Sequence, residues 1–104
     1  METIGIKSLE LCETLQDLFA DRKRWTTGCF ARDEYGKGVF SFDNRAVSFC
    51  LMGGICRVYR DLETRMLIHQ LVLDELNIPF TQFLSFNDKS SYNEIYNLVK
   101  KLNI

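Results

Sequence analysis

A buried thiol, an arginine–aspartate pair and an asparagine–aspartate step are the groups in this chain that could carry chemistry. Cys50 stands in the apolar run Phe49-Cys50-Leu51 and invites the role of a nucleophile. A nucleophilic cysteine needs a helix N-terminus or an adjacent base to lower its thiol pKa. The spacing predicts a helix over Ala46–Tyr59, with Asp43 or Asn44 as its N-cap. Cys50 then lies well inside that helix, beyond the strongest part of the dipole field. His69, the one histidine, falls on a different helix beside Ile68 and Leu71 and reads as a packing residue. A structural thiol is the stronger reading.

The second group sits in an irregular stretch, Arg24-Trp25-Thr26-Thr27-Gly28 followed by Ala31-Arg32-Asp33. Arg32 could clamp an anion or carboxylate through its forked donors. The stronger reading is structural, with Arg32 or Asp33 hydrogen-bonding loop backbone that no sheet or helix ladder reaches. Trp25, the only tryptophan, is expected to be largely buried as a plug at the end of a bundle. Asn87-Asp88 precedes the last helix, where both types form Asx-turns. A catalytic Asp88 would need a partner, and the loop and this Asn-Asp step are expected to meet at one end of the fold.

No metal, disulfide or cofactor chemistry is expected. The cysteines at 12, 29, 50 and 56 lack Cys-x-x-Cys spacing, and one histidine does not complete a zinc set. Phosphate-loop, dinucleotide and hydrolase-elbow motifs are missing, and Gly53-Gly54 matches none of them.

The elements that must position these groups are mostly helical. Ser8–Asp21 carries Leu11, Leu15, Leu18 and Phe19 at amphipathic spacing behind a Ser8 N-cap. Glycines at 28, 36 and 38 punctuate the next stretch, whose flanks Cys29–Ala31 and Val39–Phe42 could pair as a short hairpin. Ala46–Tyr59 is apolar on nearly every face and belongs in the middle of a bundle. Its Gly53-Gly54 pair costs helix propensity, which close approach of another backbone at Gly53 would offset. Asp61 can cap a helix running to Leu76, with Asn77 at the left-handed C′ position and Pro79 stopping continuation. One or two turns follow at Phe80–Phe86, and Ser91 to Glu94 forms a capping box for the last helix. The expected architecture is mainly α: a bundle of four to five helices with a long loop or hairpin between the first two, in a single domain over residues 1–104.

Composition narrows the function classes. The chain has 104 residues, 46% of them hydrophobic and 26% charged, which are values of a folded globular protein. A net charge of −1 argues against adhesion to nucleic acid. No apolar run approaches the ~18 residues of a membrane span. The start, Met1-Glu2-Thr3-Ile4-Gly5, lacks a basic region ahead of an apolar stretch, so a cytoplasmic location is expected.

Taken together, the stretches from about residue 9 to 100 resemble a domain-of-unknown-function family of small bacterial and bacteriophage proteins. The matching pieces are Arg24-Trp25-Thr26 with Gly28, Ala31-Arg32-Asp33 with Gly36, Ala46-Val47, Phe49-Cys50-Leu51 with Gly53, and Asn87-Asp88 with Ser91 and Glu94. The family commonly has Trp where this chain has Phe49 and Phe86, and His where it has Tyr92. A Cys–His pair, if the family uses one, would lack its partner here.

The reading that follows is a non-enzymatic binding or interaction protein, a phage or mobile-element accessory factor engaging a host protein or a small ligand. Structural regulation through homodimerisation overlaps with this reading and is not separated from it by sequence. The alternative is a small enzyme using Cys50, or Asp88 with Arg32. The residues expected at the site are Trp25, Arg32, Asp33, Cys50, Asn87 and Asp88. Whether Cys50, His69, Arg32 and Asp88 converge in one concave pocket is what would separate the two readings.

Overall fold

A computed structural model describes residues 6–104; the start of the chain, on which the absence of a leader pattern was read, lies outside the described residues. The fold is mainly helical, with a small sheet inserted between the first two helices. Helix α1 covers Leu15–Phe19, α2 Leu51–Val58, α3 Leu62–Leu76, α4 Phe83–Lys89 and α5 Tyr92–Leu102. Strands β1 (Ala31–Arg32), β2 (Gly38–Val39) and β3 (Ser48–Phe49) form an antiparallel sheet in the order β2-β1-β3. Ala31 lies opposite both Val39 and Phe49. An isolated parallel bridge from Trp25 to Phe49 extends the far side of the sheet.

The first helix is shorter than its periodicity implies. Ser8 opens only a 3-10 turn at Leu9–Leu11, and its side chain caps nothing. The chain then breaks, and Thr14 restarts it by accepting the Asp17 N–H on its hydroxyl at 3.0 Å. Beyond α1, the Arg24 guanidinium folds back onto the carbonyls of Asp17 and Leu18. Those are orphan acceptors of a helix end, which a cation suits.

The second expected helix is also two elements. Near its start, Ser48–Phe49 is strand β3, because Ala31-Arg32 supplies a ladder partner 16 to 18 positions upstream. Only Leu51–Val58 is helical, and Cys50 is the N-cap. The remaining termini follow the sequence: Asp61 accepts the Thr64 N–H, Asn77 adopts φ 55°, and the Ser91/Glu94 capping box is complete.

Helix α2 packs against α1, α3 and α4, and α5 packs against α1. The core between them holds Leu15, Leu18, Phe19, Phe49, Leu51, Ile55, Val72, Phe83, Ile95 and Val99, all fully buried. Among the described residues no helix is long and apolar enough to cross a membrane.

Candidate functional site

Three short pieces of chain converge where α2 begins. Cys50 ends β3 in extended conformation, and its Sγ accepts the Gly53 N–H at 3.2 Å. The expectation that Cys50 sits deep inside a helix is therefore corrected: it stands at the positive end of the helix. Burial nevertheless pushes its thiol pKa up, outweighing the lowering by the Gly53 N–H, the Asn87 side chain and the Met52 N–H. The sulfur is a buried neutral cap.

Asn87, in the last turn of α4, is 1% exposed and does what a second cap would do. Its Oδ1 accepts the Met52 N–H at 3.1 Å, satisfying another free donor of α2. Its Nδ2 donates to Asp88 Oδ1 at 3.1 Å. The same Asp88 oxygen accepts the Gly28 N–H at 3.3 Å. The loop and the Asn-Asp step thus meet as expected, through Gly28, whose φ of 88° is a left-handed geometry that suits glycine.

Cys50, Asn87 and Asp88 line one cleft of about 680 Å³ between the β1–β2 hairpin and α4. That volume is in the range of small-molecule sites. Its walls add Gly28, Cys29 and Phe30 from the lead into β1, Lys37 to Phe40 from β2 and its flanks, and Leu84 from α4. Asp43 and Arg45 close one end, tied by a two-point ion pair with oxygens at 2.8 and 3.0 Å. That guanidinium, with the Arg45 N–H, holds the Asp43 carboxyl at about 2. The Arg57 guanidinium reaches from α2 to the Ser41 and Asp43 carbonyls and anchors this loop.

The other expected site residues stand outside the cleft lining. Arg32 donates from Nε to Thr26 Oγ1, from Nη1 to the Gly36 carbonyl and from Nη2 to the Thr27 carbonyl, each at 2.9 Å. It staples the loop to the hairpin turn. Asp33 is buried and accepts the Tyr35 and Lys37 N–H groups on one oxygen. Trp25 is only partly buried, set edge-on to Phe19 with ring centroids 5.7 Å apart. His69 lies away from the cleft against Phe80 and Phe83. Tyr92 donates its hydroxyl to the Phe19 carbonyl at 2.6 Å and is likewise remote.

Sequence reasoning passed over Phe30, Phe40, Leu84, Lys37 and Arg45. The aromatic pair had a signal, since Phe30 and Phe40 sit in the two arms of the hairpin read from the glycine spacing. Among the described residues, no three His, Cys, Asp or Glu side chains gather as metal ligands. No protein-family model, curated protein or solved structure matches this chain.

Proposed function

We propose that this chain is a non-catalytic binding protein that holds a small ligand, or a partner's protruding group, in the cleft between the hairpin and α4. One observation carries the reading. The cleft is walled by exposed apolar side chains, Phe30, Phe40 and Leu84, with buried Cys50 and Asn87 and the exposed carboxylate of Asp88 as its polar groups. Apolar walls with a few oriented polar groups are the composition of ligand sites. Cys50 and Asn87 are already hydrogen-bonded to the first turn of α2, and no base stands beside the thiol, so the set offers recognition without an acid–base pair poised for turnover. Four unbridged thiols suit a reducing, cytoplasmic setting, and the family resemblance suits an accessory factor of a phage or mobile element.

The experiment is a metabolite and peptide screen followed by amide NMR. Ligands of this site move the Gly28, Gly38 and Asn87 resonances together. A ligand that instead moves α3 or α5 amides and leaves these three in place overturns the assignment.

A second reading, thiol chemistry at Cys50, draws support from the N-cap position alone. Burial of the sulfur and the distant His69 oppose it.

A further inference from the structure

Resting on that reading of the cleft, we propose that its ligand carries a cationic nitrogen on an apolar body, with the nitrogen received by Asp88. The carboxylate is held in place from one side only. Asp88 Oδ1 takes the Gly28 and Asn87 donors, while Oδ2 has no partner among the described residues. Asn87 is itself locked by the Met52 N–H, so the anchor of the carboxylate is a fully buried side chain. A charge fixed in advance loses little freedom on binding, which favours recognition.

The surroundings suit a cation. Phe30 is 48% exposed and Phe40 82%, and both line the same cleft. Exposed aromatic faces beside a carboxylate attract an ammonium group by the ring quadrupole and shelter its hydrocarbon part. The two cations at the rim do not cancel this. Arg45 is neutralised by its two-point pairing with Asp43. Lys37 is exposed on the hairpin turn with no ion-pair partner among the described residues, and its long stem can swing into water. The four formal charges lining the cleft therefore balance, and of the two carboxylates Asp43 is paired with Arg45 while Asp88 is oriented through Oδ1 and open on Oδ2.

Three matched probes test the proposal by calorimetry and amide NMR: phenethylammonium, phenethyl alcohol and 3-phenylpropionate. The ammonium is expected to bind up to about fivefold more tightly than the alcohol, the increment of one solvent-exposed ion pair. Asp88→Asn keeps an acceptor for Gly28 and Asn87 and removes the charge, so it should erase that margin while leaving the alcohol's affinity in place. Phe40→Ala, at an exposed position, should weaken both probes. Equal binding of ammonium and alcohol, or preference for phenylpropionate, overturns the cationic ligand and leaves the cleft as a ligand site. Failure of all three to move any cleft amide, with the variants folded, overturns the site itself.

Discussion

The carbonyl of Phe30 lies directly on the bare backbone of Gly53, so close that a β-carbon at Gly53 would overlap that oxygen. This contact brings the lead into β1 down onto the first turn of α2, and it sets the depth of the cleft that Phe30 and Cys50 share. Two glycines in a helix of eight residues cost propensity, and the approach of Phe30 accounts for the first of them. A β-carbon at Gly54 would meet Phe19 Cζ at 2.9 Å and Leu18 Cδ2 at 3.0 Å, so that position is tight as well.

Alanine at the two sites should therefore differ in degree and agree in sign. At Gly53 the obstacle is backbone, which moves only by displacing the hairpin, and Gly53→Ala is expected to destabilise by more than ~2 kcal/mol. At Gly54 the obstacles are side-chain tips on α1, and the gain in helix propensity offsets part of the strain. A net loss of about 1 kcal/mol is expected there. Urea unfolding of both variants checks this, and a Gly54→Ala protein more stable than the parent would contradict the packing described.

Cys50 should behave as a buried cap rather than a reagent. Iodoacetamide should label it slowly at neutral pH and faster on unfolding, because burial raises its thiol pKa above the ordinary thiol range. The folded state then keeps the proton longer than the unfolded chain does. Its contribution is fully present below the unfolded thiol pKa, ~8.5, and declines as pH rises through the higher folded value. Burial raises Cys12 and Cys56 in the same direction. Urea midpoints should fall from pH 7.5 to pH 9.5, and Cys50→Ser, which caps without titrating in that window, should reduce the fall. Rapid stoichiometric labelling of Cys50 at pH 6 would show an activated thiolate and restore the enzymatic reading.

Arg32 offers a test of clamp against staple. Its three 2.9 Å bonds hold Thr26, Thr27 and the Gly36 turn in one arrangement. Lysine carries the charge without the planar fork, so Arg32→Lys is expected to cost ~2–3 kcal/mol in urea unfolding. A variant of unchanged stability would mean that the guanidinium is free to serve a ligand.

How much of this was written in the sequence depends on how local each cause is. Asp61, Asn77, Ser91 and Glu94 act on backbone within a few residues, and both ends of α3 and the start of α5 are legible from them. The split of Ala46–Tyr59 into β3 and α2 has its cause elsewhere, in the ladder offered by Ala31-Arg32 and the carbonyl of Phe30 that accepts the Cys50 N–H. Periodicity within the segment does not contain that partner. The same holds for Ser8–Asp21, where Thr14 and the returning Arg24 decide the helix ends. In the site, the meeting of Gly28 with Asp88 was legible as a neighbourhood. Which members face the cleft was not, because Arg32, Asp33 and Cys50 are told apart only by where their polar atoms are already satisfied.

His69 supplies the last test, of acid stability. Its Nε2 is buried without a hydrogen-bond partner among the described residues, and the ring packs edge-on to Phe83 at 5.4 Å and to Phe80 at 6.1 Å. Burial, with the positive charge of Arg65 adding to it, lowers its pKa below 6.5. The folded protein thus resists a proton that the unfolded chain accepts. The histidine's contribution is present above the unfolded pKa of ~6.5 and is lost as pH falls through the lower folded value. His69→Phe keeps an aromatic ring against both neighbours and cannot titrate. Its stability should lie within ~1 kcal/mol of the parent at pH 8, where the imidazole is neutral in both states. At pH 5 it should be the more stable protein, because the parent alone bears the cost of keeping a ring uncharged. Parallel pH slopes for the two proteins would mean that His69 protonates in place, with water reaching Nε2, and that the ring is less enclosed than its contacts with Phe80 and Phe83 imply.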